Sequence, residues 1–307
     1  MGLEAGVDEA GRWAHAGRRG ARQWRLLRML LGLLLVLGPL ALAPSSSAQT
    51  AAAASPGPVW LDAAGAPLPF ENDDALLEFL RTATVVERKS TDEGINRPDK
   101  LLLEADGTRV HAVFREVSVE KKRTRVQGRY FNRFVDNYAL DCAAYDLARS
   151  IGFEKVPPVV LRRLGQTPGS VQLWVENARE EAAKDYRPRS PIGWVKQQWD
   201  MNLFDNLILN VDRNENNMVV GQDGELWLID HGRAFQPQAQ LLAPEHLKKI
   251  NRQLWDHLQG LSDDQLKDAV REHLDTEQLE ALVQRRELLV ELVQGLVDEH
   301  GEGQVFY

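Results

Sequence analysis

A single cysteine, Cys142, stands in a chain of 307 residues. No intrachain disulfide can form, so the fold has to rest on its core. Cys142 lies within an apolar helical pattern with no histidine near it in sequence, which reads as a buried, inert thiol and not as a nucleophile. Cysteine and histidine form no metal-binding cluster, and zinc-type chemistry therefore has no obvious ligands. A glycine-rich Gly-x-Gly-x-x-Gly phosphate loop is absent, leaving Gly94 and Gly107 as the turns that could cover a nucleotide. Long apolar runs are short as well: Met29 to Ala43 counts 15 residues, below the ~20 needed for a comfortable membrane span. Positive charge is in deficit, with a formal net charge of −8, which argues against a nucleic-acid partner. Internal repeats are not visible.

The positive charge that exists is concentrated at the start. Residues 1–28 carry arginines 12, 18, 19, 22, 25 and 28 against Glu4, Asp8 and Glu9. The short apolar run follows, and then Pro44-Ser45-Ser46-Ser47-Ala48. Basic region, apolar core and small residues make a secretory signal over residues 1–48, with cleavage after Ala48. Six arginines and three acids give that segment +3, so its removal takes the formal charge from −8 to −11. An uncleaved signal anchor is the one route by which this chain would be held at a membrane. Export without disulfides points to a bacterial periplasm or cell envelope, or to secretion from it. Residues 49–72, rich in Ala, Pro, Ser and Gly, read as a flexible linker.

The most informative stretch is residues 204–235, FDNLILNVDRNENNMVVGQDGELWLIDHGRAF. A helix end breaks into the polar loop Asp212-Arg213-Asn214-Glu215-Asn216-Asn217. Two short apolar runs follow, separated by Gln222-Asp223-Gly224, a hairpin turn signal. The second run ends on Asp230-His231-Gly232. The hairpin brings Asp230 back beside Asp212 and Asn217, giving an oxygen-only site that suits Mg²⁺ or Mn²⁺ completed by water and phosphate oxygens. Phosphoryl transfer needs such a site, together with a separate carboxylate to orient the acceptor hydroxyl. Asp212 is the candidate for that carboxylate. The plainer reading is a surface turn, because Asn and Asp fill turns anyway.

Asp-Arg-x-x-x-Asn followed by a hairpin and Ile-Asp-x-Gly resembles the catalytic core of the atypical kinases, the group that includes phosphatidylinositol 3- and 4-kinases and the Golgi secretory-pathway protein kinases. Asp212 and Asn217 are five apart, as in the typical kinase pattern, and Asp230-His231-Gly232 stands where that pattern has Asp-Phe-Gly. A second region is similar to the Golgi kinases: Asp141-Cys142-Ala143-Ala144-Tyr145, then Ile151-Gly152-Phe153 and Val156-Pro157-Pro158. The single cysteine departs from those cysteine-rich kinases, and no Ala-Pro-Glu closes an extended activation segment.

The resemblance implies a division of labour. Asp212 would orient the hydroxyl, with Arg213 bracing the loop. Asn217 and Asp230 would hold Mg²⁺ or Mn²⁺, with His231 a doubtful neighbour of that ion. A family lysine, on a strand with the pattern Ala-x-Phe-Lys, is replaced here by Arg115 in Ala112-Val113-Phe114-Arg115. The helix glutamate that pairs with it is replaced by Asp141. Arginine is longer than lysine and aspartate shorter than glutamate, so an Arg115–Asp141 pair could span a similar gap. The competing reading is that both sites have drifted and the chain is a pseudokinase. Trp174 and Glu176 would sit where a strand leads into the hinge that meets the nucleotide base, although a core strand explains the same residues.

Remaining patterns fill in an α+β, two-lobed kinase-like fold. Asp73–Thr82, residues 136–151 capped by Asp136 or Asn137, and residues 194–210 read as helices. So do 244–258, 262–273 and 276–299, with caps at Ser262 and Thr276. Strands are expected at 100–104, 109–117, 159–163 and 170–176, and the charged stretch 180–191 reads as a loop. A small β-rich N-lobe with one helix would cover 73–176, and a mainly helical C-lobe 177–307. The expected function is exported ATP-dependent transfer of the γ-phosphate to a hydroxyl on a protein, lipid or small molecule. The alternatives are a pseudokinase that binds nucleotide or partner, and a metal-dependent phosphohydrolase.

Overall fold

The computed structural model describes residues 58–90, 98–178 and 190–307. The export signal, the first part of the expected linker, Gly94 and most of the loop expected at 180–191 lie outside these residues. The rest of the expected linker is not a tether. Trp60, Leu68 and Phe70 pack against the core, and the Trp60 ring lies 4.6 Å from that of Trp227. Ala63 N–H also bonds Arg109 O at 2.8 Å. Three large apolar side chains in this Ala/Pro-rich stretch were enough to order it, because burying each is worth about 1.5–3 kcal/mol.

Helix α1, Asp73–Thr82, starts where Asn72 Oδ1 accepts from Ala75 N–H at 3.0 Å. It turns Leu76, Leu77, Phe79 and Leu80 inward. Five antiparallel strands form the main sheet: β1 (Thr84–Ser90), β2 (Asp99–Ala105), β3 (Thr108–Arg115), β6 (Val159–Leu164) and β7 (Thr167–Leu173), in the order β1-β2-β3-β7-β6. Asp106 and Gly107, with φ of 51° and 78°, make the two-residue turn between β2 and β3 that favours a right-twisted hairpin. Along β3, Val110, Ala112 and Phe114 are buried, which leaves Arg115 at the strand end facing the cleft. Gly169 permits that geometry. A Cβ there would collide with Arg115 O and the Phe114 ring.

A second hairpin, β4 (Ser118–Val126) with β5 (Arg129–Asn137), was not anticipated. Only its last two residues, Asp136 and Asn137, fall where the next helix was expected to begin. Helix α2 runs Ala139–Ser150, later than its pattern suggested. Neither proposed cap acts as its N-cap: Asp136 and Asn137 finish β5, and Tyr138 holds the cap position without a side-chain bond. Asn137 Oδ1 still accepts from Ala139 N–H at 2.8 Å, whereas Asp136 is drawn away by Arg233 at 2.8 Å. Cys142 is buried in α2, and burial pushes its thiol well above the ordinary range.

Helix α3, Pro191–Ile208, is capped by Ser190, which accepts from Gly193 N–H at 3.2 Å. It ends on Leu209, left-handed at φ 46°, and hands the chain to the polar loop. Strands β8 (Met218–Val220) and β9 (Leu226–Leu228) form the expected hairpin. Helices α4 (Arg252–Gly260), α5 (Asp263–Asp268), α6 (Thr276–His300) and α7 (Glu302–Val305) complete the C-terminal part. Ser262 caps α5 as expected, but the α6 cap is Asp275, whose side chain accepts from Gln278 N–H, and Thr276 is the first helical residue. The expected helix 244–258 is split: Pro244–His246 is only a 3-10 turn, and α4 starts after the Asn251 cap. Among the described residues, no helix is long and apolar enough to cross a membrane.

Candidate active site

Arg213 organises the loop after α3. Its guanidinium bonds both oxygens of Asp205 at 2.9 and 3.0 Å, Asn217 O at 2.7 Å, Ile229 O at 2.9 Å and His231 Nε2 at 3.0 Å. Polar loop, hairpin and the Asp230 segment are thereby fastened to one buried group. Arginine is always a donor, so His231 Nε2 accepts and Nδ1 carries the proton. That Nδ1 is buried with no partner among the described residues. Burial, with Arg213 beside it, holds the imidazole well below its ordinary pKa. His231 is therefore a neutral buried strut, which answers its doubtful standing as a metal neighbour: Arg213 already holds its Nε2.

Asp230 sits at φ 57°, a left-handed conformation that costs a non-glycine residue energy and is commonest where function demands it. Its Oδ1 pairs with Arg115 Nη1. Arg115 Nη1 also lies 3.8 Å from Asp141 Oδ2. Behind them, Asp141 Oδ1 accepts from His231 N–H at 2.7 Å, and Oδ2 accepts from the Ser170 hydroxyl at 3.3 Å. Sheet, α2 and the Asp230 segment are thus joined through three charged side chains. Burial pushes Asp141 up to about 6 against the pull of Arg115. Asp230 is also buried, but Arg115 outweighs this and holds it below the usual carboxylate range.

Asp212 lies to one side of this group. Its Oδ2 accepts from Arg233 Nη1 at 3.0 Å and its Oδ1 from Gln127 Nε2 at 2.8 Å. Burial raises its pKa, opposed by Arg233 and reinforced by Asp230 and Asp136. Asn217 donates its amide to Asp212 O at 2.9 Å. A small cleft lined by Pro98, Arg115, Val117, Tyr138, Asp141 and Asp230, with Asp136 and Gly232, opens beside them. A Cβ on Gly232 would come within 3.1 Å of Asp136 Oδ1, so glycine here lets β5 approach the Asp230 segment.

Arg115, Asp141 and Asp230 therefore meet in one cleft, while Asp212, Arg213 and Asn217 form the adjoining loop. Trp174 and Glu176 are elsewhere, just beyond the end of β7. Trp174 N–H is already spent on His111 O at 3.0 Å, Glu176 Oε1 lies 2.6 Å from His111 Nδ1, and Lys100 sits 3.8 Å over the Trp174 ring. The Trp174 amide is thus not open to a nucleotide base. Asp136, Arg233 and Gln127 were missed by sequence reasoning. Arg233, three residues after Asp230, was visible as a cation beside the motif, but its partner Asp136 is 97 positions away.

A carboxylate at Asp230 and an amide oxygen at Asn217 are the kind of donor a hard cation takes, and among the described residues no group of three His, Cys, Asp or Glu side chains could hold an ion alone. Magnesium-type ions are commonly held by one or two protein oxygens with water and phosphate completing the shell.

Residues 174–292 match the family described as Golgi casein kinase, C-terminal, Fam20. The structure of hydra Fam20 with sugar superposes at a TM-score of 0.58 and 16% identity, covering 78% of this chain and 93% of that one. The chain has a Fam20-type, atypical protein-kinase-like fold. The Golgi casein kinase with Mn/ADP bound superposes at 0.57 and 15% identity, over 76% of this chain and 78% of that one. Mouse pseudokinase FAM20A is 35% identical over 124 residues, 34% of this chain. The match spans 23% of that relative's length.

Proposed function

We propose that this chain is an ATP-dependent phosphotransferase acting on a hydroxyl acceptor. One observation carries the reading: Arg213 fastens the Asp212 loop to the Asp230 segment, while Asp141 fastens that same segment to α2. A buried arginine and a buried aspartate supply the geometry. Asp212, with its raised pKa, orients the acceptor hydroxyl and takes its proton. The hydroxyl oxygen bonds the γ-phosphorus as the bond to the β-phosphate oxygen breaks, and ADP leaves. Arg115 moves from Asp230 to phosphate, which it can grip with two parallel N–H groups. Mn²⁺ or Mg²⁺, held at Asp230 and Asn217, would offset the charge of the phosphates. The Mn/ADP-bound Golgi casein kinase supports this choice of nucleotide and metal.

The second reading is a pseudokinase that binds nucleotide or partner without turnover. Its support is the likeness to pseudokinase FAM20A and the Arg115–Asp230 pair, which occupies the carboxylate a metal would use. Residues 1–48 as an export signal, and a periplasmic or envelope location, remain part of the proposal.

Thermal unfolding of the chain without residues 1–48, with ATP and Mn²⁺ or Mg²⁺, tests the site. A ligand at a hundredfold excess over its Kd stabilises by about 2.7 kcal/mol, so a metal-dependent rise in Tm is expected that Asp230→Ala abolishes. Transfer of labelled phosphate to an acceptor would then separate kinase from pseudokinase, and release of free phosphate alone would mark a hydrolase. No rise with any nucleotide would sink the phosphotransferase reading.

A further inference from the structure

The β4–β5 hairpin leaves the front sheet and lies along the loop that carries Asp212. Its stem is docked: Phe131 and Phe134 form a small core with Leu209 and Val211, the residues flanking Asn210 just before Asp212. Gln236 bonds both Val135 N–H and Val135 O, at 2.9 and 2.6 Å, and Arg133 pairs with Asp275 and Glu277 at the start of α6, at 2.5 and 3.1 Å. Nearer the tip, Val126 packs against this small core and Arg129 Nη2 bonds Leu242 O at 2.6 Å. At that tip Gln127 Nε2 meets Asp212 Oδ1 at 2.8 Å.

The tip is also strained in an informative way. Gln127 and Gly128 make the two-residue turn with φ of 48° and 80°, both left-handed. Glycine or asparagine adopts the first position more readily than glutamine. A residue held in a disfavoured conformation, with its side chain on the candidate catalytic carboxylate, suggests a role for that side chain. Arg233 holds the other oxygen of Asp212 at 3.0 Å, so the carboxylate is gripped from both sides.

We propose that Gln127 is a positioning residue for Asp212, and that the β4–β5 hairpin is the strap that presents it. The hairpin sets the rotamer of the carboxylate from outside the cleft, and an acceptor hydroxyl reaches Asp212 beside the Gln127 amide. The catalytic part of this inference rests on the phosphotransferase reading; the strap itself does not.

The full chain carrying Gln127→Gly, Gln127→Lys or Gln127→Glu separates the two. Two readouts are needed: amide hydrogen exchange of residues 205–217, and transfer of labelled phosphate from ATP with Mn²⁺ to a hydroxyl acceptor. Gln127→Gly relieves the turn, so its Tm stays level or rises. Its 205–217 segment nevertheless exchanges about tenfold faster, as expected for losing a hydrogen bond to a charged group, and kcat falls at unchanged KM for ATP. Gln127→Lys keeps a donor and restores both, whereas Gln127→Glu, a carboxylate against a carboxylate, is the most impaired. Exchange in Gln127→Gly equal to wild type overturns the inference. If wild type labels no acceptor, the phosphotransferase reading fails and the exchange result alone decides the strap.

Discussion

Arg213 and Arg115 stand on either side of the Asp230 segment, one bonding Ile229 and His231, the other Asp230 itself. Arg213 is 8% exposed and faces an equally buried Asp205, at 5%, with three more acceptors around it. Arg115 is 18% exposed and, among the described residues, has carboxylates for partners, at the mouth of a cleft. The first is saturated and has nowhere to move. The second sits among negative charges that a phosphate and a cation would reorganise. One guanidinium builds the site and the other is placed to respond to what enters it.

This contrast predicts its largest effect at Arg213. Removing one partner of a buried pair leaves the other charge unmatched, at a cost of about 3–5 kcal/mol. Arg213→Ala should lose that much stability in urea unfolding, because among the described residues the Asp205 side chain keeps only the Asn210 amide at 3.2 Å. A loss below about 1 kcal/mol, the range of exposed pairs, would erase the distinction between the two arginines.

Much of the Arg213 side of the comparison was legible in the sequence. The Asp212 to Asn217 spacing, the Asp223-Gly224 turn and Asp230-His231-Gly232 are local signals, and local signals survive without the fold. The pairing of Arg115 with Asp141 came from resemblance, whereas the direct bond of Arg115 goes to Asp230 and Asp141 lies 3.8 Å away. What was not legible is the β4–β5 hairpin. Ser118–Val126 reads SVEKKRTRV, mostly charged and largely exposed, so it lacks the apolar alternation by which a half-buried strand announces itself. Its burial lies on the partner strand, in Phe131, Phe134 and Val135. Without that hairpin, sequence alone makes Asp136 a helix cap and gives Gln127 no local signal. Trp60 and Phe70 were hidden similarly, by the composition of their neighbours.

A middle-sized effect should appear in the pH dependence of stability, where His231 and Asp141 oppose one another. His231 is held well below its ordinary pKa by burial and by Arg213. The unfolded chain then binds a proton that the folded chain refuses, so stability falls as pH drops below ~6.5. Asp141 is pushed up to about 6 by burial. Its folded form binds the extra proton, so stability rises as pH falls through 6 toward the unfolded value near ~4. Between pH 7 and 5 each contribution is on the order of 1–2 kcal/mol, with opposite signs. Urea midpoints at the two pH values should therefore drop more steeply for Asp141→Asn than for wild type, and less steeply or upward for His231→Gln. Identical slopes in all three chains would mean that neither group is held as described.

The smallest effect belongs to the Arg115 side and asks which acid is its true partner. Resemblance pointed to Asp141, but the N···O separation of 3.8 Å is beyond a hydrogen bond, and the direct bond goes to Asp230. Asp141 is meanwhile occupied by His231 N–H and Ser170. Contacting residues couple by about 0.5–3 kcal/mol in double-mutant cycles. An Arg115→Lys, Asp141→Glu cycle should therefore give a coupling near the low end, about 0.5–1 kcal/mol, and an Arg115→Lys, Asp230→Asn cycle a larger one. Adding ATP and Mn²⁺ should reverse the order, because Arg115 would leave Asp230 for phosphate while Asp141 keeps its place behind it. Strict additivity for Asp141 in both conditions would show that the exchange of lysine for arginine and glutamate for aspartate is not a compensated pair, and would shift the weight toward a pseudokinase.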